Sequence, residues 1–193
     1  MKKLILFIIC LSLTQTTYSQ LLPGTLDVSG MPNFIQSLDD VVMEAGLDDT
    51  TIGFESNFDA TLIGFVLNPQ LLLNSEIMCE ANVFRYSVYI HTTNAPVGLI
   101  LEAKTTFNSG LRFPAVSTYD SLPIQPLGPR DLTPNNGGSY ITVPNSGSQA
   151  IKIFEFTGCR TDIPIQFKIK ASALVPGTPS NFDIYYTVVG SLM

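Results

Sequence analysis

One histidine, three cysteines and sixteen carboxylates are the groups with which this chain of 193 residues can do chemistry. His91 closes an alternating apolar run, Val83 to His91, beside Thr92 and Thr93. As a general base it would need an activated Ser or Cys and an orienting carboxylate beside it. No Gly-x-Ser-x-Gly elbow is present to supply the serine. His91 therefore reads as a surface residue at a strand end. Carboxylates gather at Asp39, Asp40, Glu44, Asp48 and Asp49. Hard oxygen donors of that kind suit calcium. The Asp-x-Asp-x-Asp-Gly spacing of a calcium loop is missing, and adjacent Asp pairs point to opposite sides of a strand, so this is read as a solvated acidic edge. Two facing carboxylates would serve a glycosidase, but with sixteen acids some pair is inevitable and carries no weight. Neither a Walker-type nor a dinucleotide-type glycine loop occurs, and there is no Asn-x-Ser/Thr sequon. No catalytic, cofactor-binding or metal residue is assigned, and the chain is read as non-enzymatic. Twelve Phe and seven Tyr raise a different possibility, a stacking surface built on Tyr89, Tyr119, Tyr140 and Tyr185. Cross-strand packing is the commoner use of such residues.

The elements that position these groups begin behind an export signal. Lys2 and Lys3 precede an apolar run from Leu4 to Leu13, and a polar stretch from Thr14 to Ser19 follows. A positive start, a short apolar core and small residues at Thr17 and Ser19 predict a cleaved signal peptide over residues 1–19, cut between Ser19 and Gln20. The apolar run is too short to cross a bilayer, which takes roughly 20 residues. Cys10 lies within it and lacks a lipobox. The expected product is secreted, at the outer cell surface or in the periplasm.

Removing residues 1–19 leaves one domain, 20–193, with 8 basic residues against 16 acidic and a net charge of −8. That balance opposes nucleic-acid binding, which draws its affinity from Lys and Arg on phosphates. Cys79 and Cys159 remain, and in an exported chain an even count predicts a disulfide between them. Closing a loop of that length is worth roughly 4.5 kcal/mol in the chain-entropy picture.

Strands dominate the rest. From Asp162 to Ser172, Ile163, Ile165, Phe167, Ile169 and Ala171 alternate with Pro164, Gln166, Lys168 and Lys170, a period of two with one core face. Pro164 places the strand's beginning or a sheet edge there. Asn181 to Val189 and Val83 to His91 are apolar on both faces, which predicts central positions. Ala60 to Leu67, Val97 to Lys104 and Gln149 to Phe156 are further β-rich runs. Turns at Asn135-Asn136-Gly137-Gly138, Asn145-Ser146-Gly147 and Pro176-Gly177-Thr178-Pro179 separate them. The fold predicted is all-β, an antiparallel two-sheet β-sandwich of immunoglobulin or pilin-like Greek-key type.

Some segments resist that pattern. Phe34, Ile35, Leu38, Val41, Val42 and Ala45 fall at helical spacing before Gly46, so residues 34–45 are open between helix and strand, with strand favoured for Asp40 to Glu44. Asn68-Pro69-Gln70 reads as the start of one helical turn through Leu73, with Asn68 as its cap. Residues 114–134 hold five prolines and read as a stiff connection covering a sheet edge, or as a functional loop. Gln20 to Phe34, carrying Leu21, Leu22, Leu26, Val28 and Met31, reads as the domain's own first strand or as one that pairs with a neighbour.

Three stretches near the C-terminus carry a likeness: Thr157-Gly158-Cys159-Arg160-Thr161-Asp162-Ile163-Pro164-Ile165-Gln166-Phe167, then Val175-Pro176-Gly177-Thr178, then Ile184-Tyr185-Tyr186-Thr187-Val188. Together they resemble exported bacterial β-sandwich domains, with a final Pro-Gly-Thr turn and Tyr-rich strand similar to spore-coat-U-type and fimbrial-subunit domains. The likeness covers about a third of the chain and implies a Gram-negative surface protein. The sequence departs from usher-type pilins in having no early cysteine pair, so donor-strand assembly is not implied. The expected function is a structural or adhesive subunit, fimbria-like or accessory to a larger extracellular complex. It would have protein partners, no cofactor and no membrane span. The alternative is a carbohydrate- or ligand-binding module.

Overall fold

The computed structural model describes residues 22–32, 34, 53–82, 84–171 and 181–191. The signal segment, the acidic group at 39–49, the helix-or-strand question at 34–45 (apart from Phe34, which bridges Ser56) and the Pro-Gly-Thr turn all lie outside these residues.

The architecture is a two-sheet antiparallel β-sandwich, as the alternating runs predict. The larger sheet holds β1 (Gly24–Ser29), β3 (Thr61–Leu67), β10 (Cys159–Ala171), β5 (Leu99–Lys104) and β8 (Ile141–Thr142) in that order. The short β2 (Phe54–Glu55) and β6 (Leu111–Phe113) also pair with β10. The smaller sheet runs β11 (Asp183–Ser191), β4 (Arg85–Thr93), β9 (Ile151–Thr157) and β7 (Leu132–Pro134). The chain changes sheet from β3 to β4, β4 to β5, β6 to β7, β7 to β8, β8 to β9, β9 to β10 and β10 to β11.

Period-two sequence makes the core. β3 alternates buried Thr61, Ile63, Phe65 and Leu67 with half-buried Leu62, Gly64 and Val66. β4 buries Tyr86, Val88, Ile90 and Thr92. Ile163, Ile165 and Phe167 of β10 meet Phe154 and Phe156 of β9 in one continuous cluster. Each such side chain stabilises by about 2 kcal/mol through lost apolar surface.

Three sequence expectations are corrected. β10 is the central strand of the large sheet, and Pro164 lies in its middle, neither at its start nor at an edge. One side of β10 pairs with β3 through Pro164↔Leu62. On the other side β6 pairs only with Cys159–Thr161 and β5 only with Gln166–Ala171. The Pro164 carbonyl faces that interval and accepts from the Thr105 hydroxyl. In an antiparallel strand a residue's N and O point the same way, so the missing N–H costs no ladder bond. β11, expected to be central, is the outermost strand of its sheet among the described residues, and its second apolar face is exposed at Tyr185 and Val189. The helix near residue 70 begins later than predicted. Gln70 and Leu73 exchange both backbone bonds in a tight turn with Leu71 at φ 47°. The helix α1 then spans Ser75–Glu80, and the Asn74 side chain caps it by accepting from the Ile77 N–H.

Cys79 of α1 and Cys159 of β10 form the disulfide predicted from the cysteine count, with Cα atoms 5.6 Å apart. Both are fully buried, so the bridge fastens the helix to the central strand.

Candidate functional site

The two flanks of the sandwich are built differently. On one flank β7 pairs with β9, the turn Asn135–Gly138 follows, and β8 then pairs with β5. One short segment thus joins the edges of both sheets, and Pro144 accepts from Thr92 of β4 to continue the seam. On the opposite flank lie β1 and β11, each the outermost strand of its sheet. Among the described residues no segment bridges them.

A cleft opens between these two strands. One part, about 380 Å³, is lined by Leu22, Leu26, Phe65, Tyr86, Tyr186 and Val188 with neighbouring backbone. The adjoining part, about 390 Å³, is lined by Val28, Met31, Phe167, Phe182, Ile184 and Thr61 among others. Tyr186 borders both parts. Burial alone pushes its phenol well above the ordinary tyrosine range. The Thr61 hydroxyl at the cleft floor is buried and has no hydrogen-bond partner among the described residues. Met31 is 86% exposed and Val28 42%, so the rim is apolar as well. The chemistry of such a cleft is burial of an apolar partner, with a hydroxyl available to one polar atom.

The cleft exists because of local sequence. β1 pairs with β3 over Gly24↔Leu67 to Ser29↔Leu62, within the same chain, so residues 24–29 are the domain's own first strand. It turns only Leu26 partly inward. β11 contributes Ile184, Tyr186 and Val188 inward, all half-buried.

The four tyrosines weighed as a stacking surface, with cross-strand packing favoured, are spread over the fold. Tyr119 is buried under the proline-rich segment, where its hydroxyl donates to the Gly128 carbonyl. Tyr140 lies against the large sheet with the Lys104 ammonium 4.3 Å from its ring centre. Tyr89 and Tyr185 share the outer face of the small sheet, where Tyr185 pairs with His91 and Tyr89 with Thr187. His91 is two residues short of the strand end and stacks on Tyr185 at 5.1 Å. No serine–histidine–carboxylate hydrogen-bond chain includes it among the described residues, and no group of three metal-ligating side chains converges there.

Comparison with protein families, with curated proteins and with solved structures returned no match.

Residues 114–134 prove to be a packed connection. Ser117 donates to the Glu80 carbonyl at the end of α1 and caps the turn Thr118–Ser121. Arg130 is 1% exposed and donates to Asp120 Oδ2 at 2.9 Å and to the Pro114 carbonyl at 2.8 Å. Arg160, equally buried, donates to the backbone carbonyls of Asn108, Ser109, Gly110 and Arg130. Burial, with Arg112 nearby, lowers its guanidinium to about 10 against an opposing pull from Asp131. These two arginines hold the connection onto the sandwich. Sequence reading missed them: a lone Arg after a Cys and an Arg-Asp pair in a proline-rich stretch look like ordinary surface residues.

Proposed function

We propose that the protein is a non-enzymatic, exported structural or adhesive subunit that joins protein partners through the flank formed by β1 and β11. The observation that supports this is the apolar cleft between two edge strands, set against an opposite flank that the chain joins for itself. Edge strands offer unpaired backbone donors and acceptors, and an apolar cleft beside them adds buried area to any strand that docks. The predicted leader, the disulfide and the negative charge suit life outside the cytoplasm. Sedimentation of the exported chain over a wide concentration range tests the reading: reversible association is expected, and a monomer at every concentration contradicts it.

A second reading, an apolar-ligand module using the same cleft, draws on the Thr61 hydroxyl, which has no hydrogen-bond partner among the described residues. It predicts that the dye ANS binds the folded chain and that Met31→Glu weakens that binding. An absence of fluorescence enhancement contradicts it.

A further inference from the structure

Among the described residues β11 differs from the strands that end the two sheets elsewhere, β1, β7 and β8. A free edge is normally blunted by shortness, a charge, a proline or a bulge. β7 is three residues long and ends on Pro134, β8 is two residues, and β1 carries Asp27 in its middle. β11 has none of these. It runs nine residues, Asp183–Ser191, pairs with β4 without a register shift, and holds one charge, at its first position. Tyr185, Thr187 and Val189 face outward and are exposed, while Ile184, Tyr186 and Val188 face the core.

We propose that β11 pairs with β11 of a second copy, antiparallel, about a two-fold axis through Thr187. This rests on the assembly reading above and names the edge and register that carry it. The symmetry argument is restrictive. Residues directly opposite in an antiparallel pair lie on the same face. The core faces of both copies stay on one side only if the axis passes through a residue rather than between two. Of those registers, only the one centred on Thr187 pairs all nine residues.

The sequence fits that register. Asp183 faces Ser191, so no like charges meet. Tyr185 faces Val189 on the outside and Tyr186 faces Val188 on the inside, both aromatic with β-branched, and Thr187 faces itself. Such pairs each favour association by roughly 0.2–1 kcal/mol. Ile184 faces Gly190, where the missing side chain leaves room. The contact is isologous and closes on two copies. The two four-stranded sheets become one of eight strands.

Two variants at the axis test this. Thr187→Lys is exposed, so folding is retained, and it sets two ammonium groups opposite each other. Association should weaken roughly tenfold or more, about 1.4 kcal/mol. In residues 20–193, Thr187→Cys should cross-link to a covalent dimer under mild oxidation, since the two β-carbons stand opposite each other and Cys79 and Cys159 are already bridged. If the native chain associates but Thr187→Lys leaves association unchanged and Thr187→Cys does not cross-link, β11 is not the interface and only this inference falls. If the native chain is monomeric throughout, the assembly reading falls with it.

Discussion

Arg130 and Arg160 are buried cations that the sequence disguises as surface residues. Asp120 is the carboxylate bonded to Arg130, while Arg160 is met by backbone carbonyls. Asp120 is 24% exposed, so removing its charge leaves the buried Arg130 with partial compensation from water and costs about 1–3 kcal/mol. Asp120→Asn is therefore expected to lower the urea midpoint by an amount of that size with little change in slope; a change below about 1 kcal/mol would contradict the account. Cys79→Ser with Cys159→Ser should cost about 2–5 kcal/mol, read as the difference in unfolding midpoint between the variant and the oxidised native chain. At alkaline pH the tyrosines decide. Burial raises Tyr86 and Tyr186 above 10.0, and burial with Glu55 and Glu102 does the same for Tyr140. Their folded values exceed the unfolded one, so the folded chain holds more protons above about pH 10, and the stability present below that pH is lost as it rises. Arg160, depressed from 12.5 to about 10, works in the opposite sense between those limits. Three phenols against one guanidinium give a net loss. Phenolate absorbance from these tyrosines should appear together with loss of the folded circular-dichroism signal, and Tyr186→Phe should move that transition upward in pH. Simple independent titration of folded chain would contradict this.

At the scale of elements, β10 was legible because it alternates cleanly, and β3, β4, β5 and β9 because they are runs of β-branched, aromatic and aliphatic residues. The position of a strand within its sheet was less so. β11 and β4 have the same two-sided apolar pattern, yet β4 is central and β11 outermost. Apolar residues on a second face do not by themselves say where in its sheet a strand lies, and on β11 that face is exposed at Tyr185 and Val189. Pro164 misled for a related reason. Proline excludes a ladder bond on one side, and a strand that changes neighbours midway leaves an interval where none is formed. The helix start was displaced because Asn68-Pro69 and Asn74-Ser75 both satisfy cap chemistry, and only the turn at Leu71–Leu72 selects the second. Asn74→Ala is expected to cost about 1 kcal/mol and to fray α1. Hydrogen exchange at the Ile77 amide would report it, and unchanged protection there would contradict the capping role.

For the molecule as a whole, the sequence made the sandwich and the disulfide readable and left the site hidden. The cleft between β1 and β11 depends on which strands end up outermost, a property of topology rather than of any local motif. The four tyrosines looked like a surface only while their places in the two sheets were unknown. What the fold adds is an asymmetry: one flank closed by β7 and β8, the other ending in two edge strands over apolar side chains. The assembly reading rests on that asymmetry. Sedimentation velocity of residues 20–193, compared at low and high protein concentration, tests it most directly. The account predicts a reversible shift from monomer to a larger species as concentration rises; a single monomeric boundary at all concentrations would contradict it.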